Sequence, residues 1–166
     1  MSEKAISITL KKIITPETTI FALAFCVPLL FNGSQIITGS IINTLLFISA
    51  TKLSKKTLPF IAVIPSLGAV SNGILFGPFT IYLVYFLPFI WVGNYLLMYV
   101  TKTSNFLVAA LAKSLFLFLI AYIFVSLHIV PKIFLTAMGI LQLVTALVGG
   151  IAAIGISKYL LKPAHE

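Results

Sequence analysis

Segment 105–127, NFLVAALAKSLFLFLIAYIFVSL, is an uninterrupted apolar helix with one charge inside it, and that charge limits what the chain can become. About 20 apolar residues rising 1.5 Å each cover the ~30 Å hydrocarbon core of a bilayer. Lys113 lies roughly eight residues, or about 12 Å, from the helix start. A lysine near the centre of a membrane helix costs ~2.5–3.5 kcal/mol on insertion scales, so it is rarely left facing lipid. The segment holds no acid to pair with it. Lys113 must therefore face a protein interior or a polar cavity, and other helices must supply its walls.

Composition identifies those helices. Hydrophobic residues make up 60% of the 166 positions and charged residues only 8%, against about a quarter in ordinary globular domains. A soluble core of this size leaves too much surface exposed to hide so much apolar side chain. The reading is an all-α integral membrane protein, one membrane domain over 1–166 with no room for a separate soluble domain. The net charge of +8 arises entirely from lysines clustered at segment ends, which points to membrane topology and not to a nucleic-acid partner. The acids are Glu3, Glu17 and Glu166. Cys26 is the only cysteine, and His128 and His165 are far apart, so no metal site is expected.

The chain reads as six spans, at 17–31, 36–50, 58–76, 79–100, 105–127 and 133–157. Ahead of them, 1–14 places Ile6, Leu10 and Ile13 on one helical face and Lys4 and Lys11 on another, the pattern of an interfacial helix. A cleaved leader is the alternative, and a retained first helix is preferred because five further spans follow. Thr15-Pro16-Glu17 is a helix start, and Asn32-Gly33-Ser34-Gln35 is a turn. The second span is polar for a membrane helix, with Thr38, Ser40, Asn43 and Thr44. Pro65 predicts a kink in the third, and Trp91, Asn94, Tyr95 and Met98 share a face of the fourth. Gly139, Ala146, Gly150 and Ala153, with Gly149 beside them, give the sixth a small-residue face for close helix packing.

Orientation follows from the lysines. With the N-terminus inside, Lys4, Lys11, Lys12, Lys52, Lys55, Lys56, Lys102, Lys158 and Lys162 are cytoplasmic, and Lys132 alone is outside. Both termini are then cytoplasmic. The two halves show no internal sequence repeat.

No hydrolytic or redox constellation, paired carboxylates or phosphate-cradling glycine loop occurs, so the chain is not expected to be an enzyme. Binding and translocation remain. Asn94 and Lys113 come to similar depths from the cytoplasmic side and are expected to floor an outward-facing cavity, hydrogen-bonded to each other if their helices are neighbours. Trp91, Asn72, Gln142 and Tyr85 complete the candidate substrate-binding set. The commoner role of a membrane amide is an interhelical hydrogen bond worth ~0.6 kcal/mol on average. Lys113 has three ways to relieve its cost: shedding its proton, snorkelling to the near face, or meeting a ligand or water in a cavity.

The six-span pattern, the lysine-rich cytoplasmic surface, KSLFL at 113–117 and QLVTALVGG at 142–150 together resemble the substrate-binding S components of energy-coupling factor (ECF) vitamin transporters. That resemblance implies a multi-pass protein of a prokaryotic-type cell membrane that takes a small organic, vitamin-like substrate from outside. It also implies a membrane T component and two cytoplasmic ATPases as partners, with toppling of the bundle to release the substrate. ATP would be used by those partners, and no cofactor is implied in this chain. Where the family presents an alanine pair to the T component, this sequence reads Ala22 and Cys26. Its first loop is shorter than in several members. Ser2 replaces the histidine of the metal-transporting branch, so cobalt and nickel are not implied. The rival reading is a non-catalytic accessory or assembly subunit of a larger membrane complex. A lipid-acting enzyme lacks its expected acids or histidines, and a channel lacks a charged ring.

Overall fold

The regular elements are all helical among the described residues, and several start or stop on a local signal. The computed structural model describes residues 15–31, 34–72 and 77–159. The expected interfacial helix at 1–14, Lys162, Asn32-Gly33 and the end of the third span at 73–76 lie outside them.

Helix α1, Pro16–Leu30, begins as its sequence dictates. The Thr15 side chain accepts the Thr18 N–H at 3.1 Å while the Thr15 N–H donates to Thr18 Oγ1 at 2.9 Å, and Pro16 fills the first helical position. Ser34 caps α2, Gln35–Lys52, through the Ile37 N–H, and Asn105 caps α5, Phe106–Ser126, through the Val108 N–H. Between them lie α3, Leu58–Asn72, and α4, Leu83–Thr103. Helix α5 stops in a Schellman arrangement: His128 takes a φ of 58°, and the Ile129 N–H reaches back to the Phe124 carbonyl at 2.9 Å.

Two expectations change. The fourth span does not start as α-helix at residue 79: Gly77–Tyr82 is a 3-10 turn, the tighter winding common at helix N-termini, and α-helix begins at Leu83. Pro65, where a kink is expected, lies inside α3, which is one α-helix from Leu58 to Asn72. The sixth span is in two pieces, α6 at Ile133–Met138 and α7 at Ile140–Tyr159. At the break, the Gly139 N–H still bonds the Leu135 carbonyl and the Leu143 N–H bonds the Gly139 carbonyl, both at 3.0 Å. The axis bends without losing these bonds. A side chain at Gly139 would sit 2.7 Å from the Leu135 carbonyl oxygen and 2.8 Å from the Phe118 ring, so only glycine fits the bend.

The helices close into a ring in the spatial order α1, α2, α7, α5, α4, α3, with α2 also reaching across to α4. The most extensive packing is α2 against α7. Its cause is Gly149, where an added Cβ would lie 2.7 Å from Asn43 Cβ and 2.9 Å from the Ser40 carbonyl oxygen. Small residues allow this approach, as expected for the small face of the last span, and Ala146 and Ala153 are buried beside it.

Two apolar cores fill the ring unequally. At the end carrying Lys52, Lys102 and Lys158, residues from α1, α2, α3, α4, α5 and α7 pack together around Leu46, Phe47, Ile61, Leu97 and Met98. At the opposite end, where Lys132 lies, the core is built from Ala69 of α3 with α4, α5, α6 and Val130, and Phe86 stacks on Phe134 at 5.1 Å. That second core includes no residue of α1, α2 or α7. A gap therefore remains on their side of the ring.

The outside is as apolar as the inside. Leu30, Phe60, Ile81, Leu115, Ile140 and Ile151 are all more than half exposed, a surface that lipid and not water would solvate. Three helical stretches, Leu83–Thr103, Phe106–Ser126 and Ile133–Lys158, are long and apolar enough to cross a membrane. Helices α1 and α3, of 15 residues each, reach about 22 Å.

The close α2–α7 contact makes a test of the fold. Gly149→Ala should destabilise the chain by about 1–3 kcal/mol, because the new methyl meets α2 backbone that cannot swing aside. Gly155→Ala, with nothing within 4 Å of the added carbon, should be neutral or gain up to ~1 kcal/mol of helix propensity. Unfolding in mixed detergent micelles reads both, and equal effects would deny the contact its role.

Candidate functional site

The gap left by the unequal cores is a cavity of about 100 Å³ in the middle of the ring. Five of its lining residues come from α2: Gln35, Thr38, Gly39, Ile42 and Asn43, spaced so that one helical face turns inward. Helix α3 adds Pro65, Ser66 and Ala69, and α4 adds Leu83, Ile90 and Asn94. Lys113 comes from α5, Met138 from α6, Gln142 from α7 and Pro28 from α1. The lysine-end core closes the floor, and the lining continues to Gln35 and Leu83 at the starts of α2 and α4.

Lys113 is only 3% exposed, and its Nζ donates to Asn43 Oδ1 at 2.7 Å. It does not snorkel. Asn43 Nδ2 in turn donates to Thr145 Oγ1 at 3.1 Å, and that hydroxyl donates to the Gln142 carbonyl at 3.2 Å. The result is a one-way chain of donors from α5 through α2 to α7. Because each member needs the next, the Asn43 amide has one orientation, with its oxygen toward the ammonium. Among the described residues Asn43 Oδ1 is the acceptor that meets Lys113, and an ammonium carries three N–H donors.

The expected Lys113–Asn94 hydrogen bond does not form, although α4 and α5 are neighbours. Asn94 is buried and gives its Nδ2 to the Ala62 carbonyl at 2.9 Å, pinning α4 to α3 while it lines the cavity. The amide that meets the ammonium is Asn43, on α2.

The other candidates separate by position. Gln142 lines the cavity. Trp91 stands behind the wall and donates from Nε1 to Ser66 Oγ at 2.6 Å, so it touches the cavity only through Ser66. Asn72 Nδ2 bonds the Pro28 and Leu29 carbonyls at 3.1 and 3.0 Å, which ties the end of α3 to the end of α1. Tyr85 is 54% exposed and lies outside the cavity, beside Tyr82. Tyr95 likewise points away from the buried face that Asn94 and Met98 share. Ala22 and Cys26 are exposed on the outer side of α1.

Sequence reasoning left Asn43, Thr38 and Ser66 out of the site. The signal was present in the second span, whose polar residues Gln35, Thr38 and Asn43 recur at helical spacing. Thr38 is 3% exposed, and its hydroxyl has no hydrogen-bond partner among the described residues. Ser40 Oγ is the other buried polar atom in that condition among the described residues. No group of His, Cys, Asp and Glu side chains among the described residues could hold a metal ion.

The donor chain predicts coupled energetics. Asn43→Leu leaves the Lys113 charge without its acceptor and should cost about 1.5–3 kcal/mol. Lys113→Met leaves the Asn43 oxygen unpaired and should cost about 1–3 kcal/mol. The double variant should cost clearly less than the two together, by about 1 kcal/mol or more. Additive losses in a micelle unfolding cycle would break the proposed link.

No protein-family model, curated protein or solved structure matches this chain, so the site is the physical guide to what it does.

Proposed function

We propose that this chain is the membrane substrate-capture subunit of an ECF-type importer, binding a small organic molecule from outside and delivering it with an ATP-driven partner. The observation that carries this reading is the polar cavity inside an apolar helix ring, with a buried lysine held at its wall. A cavity with convergent polar groups is the default binding-site geometry. Lys113 is costly to place there, and lines of defence against that cost end at the cavity and not at the membrane face.

The six-span arrangement with both termini in the cytoplasm belongs to the same proposal. Lys52, Lys55, Lys56, Lys102 and Lys158 gather at one end of the ring and Lys132 at the other, the asymmetry that sets cytoplasmic and outer faces. With the lysine-rich end inside, the cavity side of the ring faces out. Capture from outside needs that polarity. The docking face for a membrane T component is the exposed Ala22 and Cys26 side of α1, with two cytoplasmic ATPases completing the importer.

A non-catalytic accessory subunit is the second reading. It draws on the hydrogen bonds that already satisfy Asn43 and Asn94 within the chain. Helix-tying amides need no ligand.

Reporter fusions after Lys56 and Lys102 should read cytoplasmic and one at Lys132 external; a cytoplasmic signal at Lys132 reverses the orientation. Isolation of the chain from its native membrane should bring with it a T component and two ATPases. Ala22→Trp should then abolish uptake yet leave substrate binding near wild type, since bulk there blocks close helix approach. Accumulation by the chain alone, without any ATPase, would sink the importer reading.

A further inference from the structure

Among the described residues, Lys113 is the one charged side chain lining the cavity, and no carboxylate lines it. Its partner Asn43 is a neutral amide, which can accept a hydrogen bond but cannot balance a charge. Its single bond to that amide leaves donors on the ammonium without a partner among the described residues. A second observation points the same way independently. Thr38 lines the same cavity from α2, and its buried hydroxyl has no acceptor among the described residues. Buried donors are normally satisfied, and leaving one unmade is expensive. One cation and one spare hydroxyl donor bordering the same space form a receptor for an oxygen anion of single charge.

Size and lining refine the class. The cavity of about 100 Å³ is well short of the ~300 Å³ at which drug-sized sites begin. The walls beyond the polar groups are Ile42, Leu83, Ile90 and Met138, which suit an apolar body. A phosphate ester would bring a second negative charge with no second cation among the described lining residues to meet it, and a cationic substrate would face Lys113 directly.

We propose that the cavity takes a small organic acid, its carboxylate set against the Lys113 ammonium and the Thr38 hydroxyl and its apolar part directed toward Leu83. The assignment deepens the capture reading and rests on it. Asn43 then acts as a positioning residue, since it holds the ammonium in place through Thr145 without being required to touch the acid.

Matched acid and amide pairs test this: butyrate against butyramide, benzoate against benzamide and nicotinate against nicotinamide, with methyl phosphate as the doubly charged probe. Each is titrated calorimetrically against the full chain in lipid nanodiscs. In at least one pair the acid should bind at least about tenfold more tightly than its amide, the scale of a charge-assisted hydrogen bond, and methyl phosphate should not compete. Thr38→Val, which keeps the lysine, should weaken the acid about fivefold and the amide less, because the bond to a charged acceptor is the stronger. Lys113→Met should erase the preference. Amides equal to acids in every pair, no acid binding up to about 10 mM, or a preference that survives Lys113→Met each overturn the assignment. Co-isolation of the ATPases is read separately: acid binding without those partners would defeat the importer and keep the acid site, and the partners without acid binding would do the opposite.

Discussion

A single ammonium inside an apolar ring sets the terms for the rest of this molecule. Lys113 can stay buried because Asn43 offers it an oxygen at 2.7 Å, and Asn43 can offer that oxygen because Thr145 holds the other end of its amide. Each of these residues sits on a different helix. The donor chain thus fixes α5, α2 and α7 relative to one another in a way that apolar packing, which has no direction, would not. In lipid this matters more than in water, since helix association there lacks the hydrophobic driving force between helices.

Close packing makes the chain possible. Gly149 brings α7 onto the α2 backbone, and Gly39 lies against Thr145, so that two short polar side chains, Asn43 and Thr145, can meet. The bend at Gly139 then turns α6 toward the α4–α5 core, where Phe134 stacks on Phe86. The same geometry that completes this core draws apolar side chains away from α1 and α2. The cavity is the space they leave. Its polar lining is therefore a consequence of how the ring closes, with α2 supplying the polar face and α4, α5 and α6 the apolar bulk.

Site and scaffold share residues to differing degrees. Asn72, Asn94 and Trp91 tie neighbouring helices together at the edges of the cavity, each through a hydrogen bond to a specific backbone or hydroxyl oxygen. Lys102 does the same at the far end, donating to the Leu53 carbonyl at 3.1 Å where α2 stops. Lys113 and Thr38 differ from these. Their donors exceed the acceptors that the described residues provide, which is why the binding chemistry is placed on them.

The sequence by itself determined the helical class, the apolar exterior and the element boundaries marked by Thr15, Ser34 and Asn105, because length, apolarity and capping are local properties. It also marked Lys113, since the cost of a buried charge does not depend on knowing the neighbours. Which oxygen meets that charge was not legible: a list of depths favours Asn94 and puts Asn43 nearer the middle of its span, and only the order of helices around the ring placed Asn43 across from the lysine. The same holds for Tyr85, whose aromatic face reads as pocket material in one dimension and points outward in three. The 3-10 entry to α4 and the bend at Gly139 were decided by tertiary contact as well. A glycine permits many conformations, and only the three-dimensional structure shows the Leu135 carbonyl and the Phe118 ring too close to Gly139 for a side chain.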